Sequence, residues 1–240
     1  LTLSATIGDL NNDSYPDIYI SNDFSSPDFM YMNNGDGTFS DVVKETTNQT
    51  SFYGMGVDIA DFNNDSYLDY IQVDMDAKDN RRSKANMASM NPDLFWSTVN
   101  YGFHYQYMHN TLQLNRRIQG DKPFFSNISR LSGISSTDWS WGPLLADLDN
   151  DGWKDLFISN GIRREINHRD FFNDIKLRPM SSDSLLYYTE QMPSEAIANF
   201  TFQNNSDLTF TDVTESWGLD QKNFSNGATY ADLDLSLIHI

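Results

Sequence analysis

Short runs of β-branched and aromatic residues recur along the chain, and each is cut off by a burst of Asp, Asn and Gly. Asp17-Ile18-Tyr19-Ile20, Asp69-Tyr70-Ile71-Gln72-Val73 and Asp155-Leu156-Phe157-Ile158 read as strands. A polar loop precedes each one, and before the later loops lie the short apolar segments Gly56-Val57-Asp58-Ile59-Ala60 and Gly142-Pro143-Leu144-Leu145-Ala146. Residues 29–42 then hold two more strand-like runs around Asn34-Gly35 and Asp36-Gly37, both strong hairpin signals. Their counterparts are 110–115 with 125–128, and 200–205 with 210–213. Each repeat thus holds four strands, the composition of one propeller blade, and the pattern predicts an all-β fold, a partial β-propeller.

The repeats are expected at about 1–50, 51–135 and 136–220, with the start of a fourth at 221–240. Gly56, Gly142 and Gly227 stand five residues before the loops that open at Asp61, Asp147 and Asp232, and Ala60, Ala146 and Ala231 stand one before. Small residues at fixed offsets predict close packing between neighbouring units. Insertions at about 76–109 and 162–198 separate the second and third strands of the later repeats, and within them 81–90 and 182–198 are rich in helix formers. Both leave the blade at the same place and should rise from one face, where binding is expected. They carry Arg163, Arg164 and other basic side chains, and an aromatic set that includes Trp96 and Tyr105. These residues are candidates for contacts to an anionic group or a sugar ring; the competing reading is that they dock the insertions on the acidic body. In the fourth loop, Leu235, Ser236 and Ile240 stand where polar or acidic residues are needed, which predicts an artificial or truncated end.

The polar loops carry the chemistry. Asp9, Asn11, Asp13 and Asp17 occupy positions 1, 3, 5 and 9 of the first; Asp61, Asn63, Asp65 and Asp69 of the second; and Asp147, Asp149, Asp151 and Asp155 of the third. Calcium takes six to eight oxygens at roughly 2.3–2.6 Å, so several carboxylates must converge, usually with a backbone carbonyl. The carbonyls of Tyr15, Tyr67 and Trp153 at position 7 supply the latter. Gly152 at position 6 suits the left-handed turn, whereas Ser14 and Ser66 are less comfortable there. Acidic Asn/Asp runs also make solvated turns, but a turn does not require an aspartate at position 9 in every copy. An EF-hand is excluded because position 12 is Ile20, Gln72 and Ile158 rather than Glu, and strands flank the loops.

The formal charge of −18 reflects 34 acidic and 16 basic side chains, and ten of the acids lie in the three loops. Nucleic acid, which needs a basic surface, is excluded as a partner. The absence of cysteine rules out disulfides and thiolate sites. No run of about eighteen apolar residues is present, so no membrane insertion is expected in this segment. Weak calcium sites, roughly 10⁻⁴ to 10⁻³ M, suit an extracellular or cell-surface location. The first thirty residues lack the features of a secretion signal, which is expected upstream.

The D-x-[DN]-x-D-[GS]-x-x-D loop between strands, the small residues before it and the Asn33-Asn34-Gly35-Asp36-Gly37-Thr38-Phe39 block resemble FG-GAP or VCBS repeats, as in integrin α-subunit and cartilage-acidic-protein propellers. The resemblance runs from Gly8 to about Asp234. Within it, residues 54–61, 101–108 and 137–141 look like surface-associated proteins of Bacteroidetes-type bacteria. It implies an exported calcium-binding propeller serving adhesion or the binding of a protein or glycan, with no established reaction. The other readings are a polysaccharide lyase or hydrolase and a subunit of a surface complex. A hydrolase needs two free carboxylates, yet the aspartates here are committed to metal. His104, His109, His168 and His239 form no zinc motif.

Overall fold

A computed structural model describes residues 2–24, 26–86, 90–119, 122–178 and 182–231. The chain winds three antiparallel meanders, each built from consecutive strands. The first sheet consists of β1 (Thr2–Gly8), β2 (Asp17–Asn22), β3 (Phe29–Asn33) and β4 (Phe39–Asp41). The second consists of β5 (Val57–Ala60), β6 (Asp69–Gln72), β7 (Thr111–Gln119) and β8 (Lys122–Asn127). In the third, β9 (Asp138–Ala146), β10 (Asp155–Asn160), β11 (Phe200–Asn204) and β12 (Phe210–Asp212) are joined by Met75–Asp76, which pairs with the start of β9. The architecture is a partial β-propeller, with β1, β5 and β9 as neighbouring inner strands.

Why the sheets stack follows from the alternation of their strands. Tyr19 and Met30 turn one face of the first sheet onto Val57, Tyr70 and Phe125 of the second, and this cluster is closed to water. Ile71, Leu112 and Phe62 turn the opposite face of the second sheet onto Leu145, Leu156, Ile158 and Phe202 of the third. A one-residue slip in any strand would exchange these faces. At 25 cal/mol per Å² or so, fully burying one such side chain stabilises by roughly 1.5–3 kcal/mol, so the two apolar interfaces are what hold the blades together. The expected close approach of small residues is present: a Cβ on Gly56 would lie 2.4 Å from the Trp141 carbonyl oxygen, so β5 and β9 meet only because Gly56 has none. The neighbouring Asp58 accepts the Leu145 N–H at 2.7 Å across the same gap.

Both insertions leave between the second and third strands of their sheets. The first holds α1 (Asn80–Ala85) and α2 (Pro92–Asn100) rather than one helix over 81–90. Asn91-Pro92 starts the second helix: the Asn91 side chain accepts the N–H groups of Asp93 and Leu94, and proline fits the first turn. The second insertion holds α3 (Arg169–Lys176) and α4 (Ser182–Gln191). Helix α4 stops short of the expected 198 because Pro193 follows it, and Ile197–Ala198 pairs instead with Lys222–Asn223. Asp232 and the residues after it, on which the fourth loop and the artificial-end expectation rest, lie outside the described residues.

Arg82 is the basic side chain that docks the first insertion most fully. Arg82, 4% exposed, donates to Asp138 at the start of β9 (Nη2 to Oδ1, 2.8 Å) and to Glu165 and Glu195 of the second insertion (both 3.0 Å). Arg81 grips Glu195 as well, at 2.6 Å. Removing one member of a buried cluster of this kind strands the remaining charges, a loss of about 3–5 kcal/mol.

Between the first two sheets, Asp28 is buried and accepts from the Asn22 N–H, Tyr19 Oη and Gln72 Nε2. Burial outweighs these bonds and pushes its carboxyl up to about 7, while burial pushes nearby Asp74 up to about 6. In the unfolded chain an aspartate titrates near 3.9. Over the window from there to about 7 the folded protein therefore retains a proton the unfolded chain releases, and stability falls as pH rises. Urea unfolding at a series of pH values should show that decline, and Asp28→Asn should flatten it by up to about 1.4 kcal/mol per pH unit. Parallel wild-type and variant profiles would contradict this assignment.

Candidate metal centres and their supports

The three acidic loops join the first and second strands of the three sheets, so all open at the same end of the propeller. Their internal geometry repeats atom for atom. In the first, Asp9 accepts the N–H groups of Asp13 and Ser14 (3.0 and 2.8 Å), and Asp13 accepts that of Tyr15 (2.8 Å). Asp61 accepts from Asp65 and Ser66 (3.0 and 2.8 Å) and Asp65 from Tyr67 (3.0 Å). Asp147 accepts from Asp151 and Gly152 (3.1 and 2.9 Å) and Asp151 from Trp153 (2.8 Å). The position-3 side chains Asn11, Asn63 and Asp149 each accept the position-5 N–H as well.

These bonds need a left-handed residue at position 6, and Ser14 (φ 73°), Ser66 (φ 70°) and Gly152 (φ 89°) supply it. The two serines hold a conformation unfavourable for a side-chain-bearing residue, fixed by the carboxylate that grips their N–H groups. Position 4 is left-handed too, at Asn12, Asn64 and Asn150, a feature sequence reasoning missed although Asn tolerates that region best. The turned asparagines reach across: Asn12 Nδ2 donates to the Ser66 carbonyl of the next loop, and Asn64 Nδ2 to the Gly152 carbonyl, each at 3.0 Å.

The position-9 aspartates are placed differently from the rest. Asp17, Asp69 and Asp155 are fully buried at the base of each loop. Asp17 accepts Leu10 N–H and Asn33 N–H, both at 2.9 Å, and Asp155 accepts Leu148 N–H and Asn204 N–H at 3.0 and 2.9 Å. Asp69 accepts Asn115 N–H at 2.7 Å, but Phe62 N–H, which also favours its ionised form, falls short of hydrogen-bond geometry, and Oδ2 is a buried oxygen without a hydrogen-bond partner among the described residues. Burial raises all three carboxyls, Asp69 to about 8.

Asn33, Asn115 and Asn204 are the second set that sequence reasoning missed; their signal was the Asn heading each third-strand turn block. Asn115 Nδ2 donates to the carbonyls of Leu68 in its own blade and Leu10 in the previous one, at 3.2 and 3.0 Å. Asn204 Nδ2 does the same with Lys154 and Phe62, at 3.0 and 2.8 Å.

Do the loops fit a cation? Asp147, Asp149 and Asp151 bring one carboxylate oxygen each within 4.8 Å of one another. No salt bridge to any of the three occurs among the described residues. In the first two loops an amide oxygen at position 3 takes the place of the third carboxylate. Such all-oxygen sets suit hard divalent ions, calcium above all. Of the other candidates, Trp96 lies exposed on α2, its ring edge-on to Phe95, and Phe95 also contacts Tyr105 and Tyr107. Arg164 donates to the Met192 carbonyl at 3.2 Å, and Arg163 is exposed. These two groups are not part of the loops and belong to the opposite, insertion-bearing end.

Fold and loops together define a propeller segment whose blades each carry an acidic loop between their first two strands. Residues 9–71, which span the first two loops, match the FG-GAP-like repeat model. The chain is 24% identical over 183 residues to cartilage acidic protein 1 of Xenopus tropicalis, 24% over 186 to the human protein and 23% over 184 to that of Mus musculus. Each alignment covers 65% of this chain, and the chain spans 28% of the length of these relatives. No helix among the described residues is long and apolar enough to cross a membrane.

The bridging asparagine gives a direct test. Asn115→Ala should destabilise by about 1–3 kcal/mol in urea unfolding, because two buried carbonyls lose their donor. Asn205→Ala, at an exposed turn, should stay within about 0.5 kcal/mol. Equal effects would remove Asn115 from the inter-blade tie.

Proposed function

We propose that the chain is an extracellular calcium-binding repeat module that presents a binding face to a protein or glycan, and that its calcium is structural rather than catalytic. One observation carries the reading: the three loops share the same left-handed positions and internal hydrogen bonds, with a serine in the left-handed place in two of them, and the three carboxylates of the third loop converge. Positions 1, 3 and 5, the carbonyls of Tyr15, Tyr67 and Trp153, and the position-9 aspartates would hold the ions. The FG-GAP-like match and the likeness to cartilage acidic protein 1 support both the calcium and a location outside the cell or on its surface. With the loops committed at one end, contacts to a partner fall to the insertion-bearing end. Catalysis has no assigned nucleophile or base in this reading.

Calcium bound only by the folded state stabilises it by mass action, about 2.7 kcal/mol per site at one hundred times Kd. Thermal unfolding should therefore shift upward with millimolar calcium, and Asp151→Ala should shrink the shift without changing the calcium-free midpoint greatly. A midpoint indifferent to calcium would sink the reading.

A further inference from the structure

At the end of the blades opposite the acidic loops, the inner strands and the second insertion enclose a cavity of about 300 Å³. Leu3, Met55 and Trp141, each six residues before its loop, bring three blades to its wall. The remaining wall combines the rings of Phe24, Tyr53 and Trp139 with aliphatic side chains and two polar ones, Asp23 and Asn167. Phe24 and Tyr53 meet edge to face at 5.6 Å between centroids, and Trp139 lies 6.4 Å from Trp141. The Trp139 indole N–H is buried and has no acceptor among the described residues.

Asp23 is the one charged residue among those lining this space, which include no Lys, Arg or His. Its Oδ1 accepts the Phe24 N–H at 2.8 Å, and no further hydrogen bond or ion pair to it occurs among the described residues. Burial is the largest influence on its carboxyl and raises it, outweighing the Phe24 N–H. Phe24 itself is held at φ 59°, a left-handed conformation unusual for an aromatic residue, and its ring is 54% exposed. Strain of this kind concentrates where a side chain is aimed for a purpose. Here it turns a ring to the cavity beside the acid.

Aromatic rings around one carboxylate, in a wall without Lys, Arg or His, are complementary to a positive charge on an apolar body: the ring quadrupoles and the carboxylate both attract it, and the walls take its carbon atoms. A sugar would draw on the polar groups of the wall, Asn167, the Tyr53 hydroxyl and the Trp139 N–H, but would leave the carboxylate without a positive partner. The charge of −18 adds a long-range pull in the same direction. We propose that this cavity binds an organic cation, a substituted ammonium or guanidinium group, with Asp23 as counter-ion and Phe24, Tyr53, Trp139 and Trp141 as the surrounding rings. The proposal rests on the binding-module reading and supplies its ligand class, but it does not require the calcium.

Tryptophan fluorescence of the chain, titrated at fixed calcium, tests it. The probes are choline, its neutral isostere 3,3-dimethylbutan-1-ol, Nα-acetyl-lysine amide and methyl glucoside. Saturable binding of choline or of the lysine amide is expected, at least about tenfold tighter than the isostere and weakened at least about tenfold by Asp23→Asn. Asparagine can still accept the Phe24 N–H, and an unchanged circular dichroism spectrum shows that this variant folds. Choline alone would assign the site to a small quaternary ammonium, the lysine amide alone to a side chain of a partner protein. Equal binding of the isostere, indifference to Asp23→Asn, saturation by methyl glucoside alone, or no saturation by any probe would overturn the proposal. Cation binding in a protein whose unfolding ignores calcium would separate this site from the calcium reading.

Discussion

A buried carboxylate at the base of each acidic loop is the constraint on which the blades depend. Asp17 and Asp155 each span two backbone N–H groups, one in the loop and one at the end of the third strand, and Asp69 keeps the second of these bonds. A single side chain thus fixes the loop, the second strand on which it stands and the third strand beside it. An apolar group could not replace it cheaply, since each N–H would be left buried without an acceptor. The loop above is then free to turn its remaining oxygens outward.

From that anchor the order spreads between blades. The asparagine beside each anchor in the second and third sheets, Asn115 or Asn204, caps a carbonyl in its own blade and another in the preceding one. Asn12 and Asn64 link the loops themselves. These polar ties set register at one end, while Gly56 lets the inner strands close up and the apolar faces supply the bulk of the stabilisation. At the other end the Arg82 cluster holds both insertions against β9. One end of the propeller is therefore built for rigidity, and the other carries the variable, aromatic surface.

Much of this was legible in the chain because it is written in local patterns. The loop spacing, the strand alternation around it and the Asn-Gly hairpins each involve residues close in sequence, and they gave the four-stranded unit and its acidic loops. The glycine at Gly56 was readable as a close approach because it recurs at a fixed offset. What escaped was non-local or conformational. Asn115 reaches a carbonyl 105 residues away, and Arg82 reaches Glu195 at a separation of 113, which no spacing rule anticipates. Phe24 gives no hint of its left-handed backbone, so the cavity it borders was invisible; Trp96, Tyr105, Arg163 and Arg164 are not among the residues that line it. The division of the first insertion into two helices was foreseeable from Asn91-Pro92, whose capping chemistry outweighs the helix propensity of the residues before it.

Tyr15, Tyr67 and Trp153 stand at position 7 of the loops, next to the oxygens assigned to metal. That makes sensitised terbium luminescence the most direct test, since this hard trivalent ion shares calcium's preference for oxygen and is excited by a nearby aromatic ring. Excitation of Trp153 should give terbium emission that calcium displaces and Asp151→Ala abolishes for the third loop, leaving the tyrosine-sensitised signal of the other two. Absence of sensitised emission, or emission untouched by calcium and by Asp151→Ala, would contradict the assignment of the loops as cation sites.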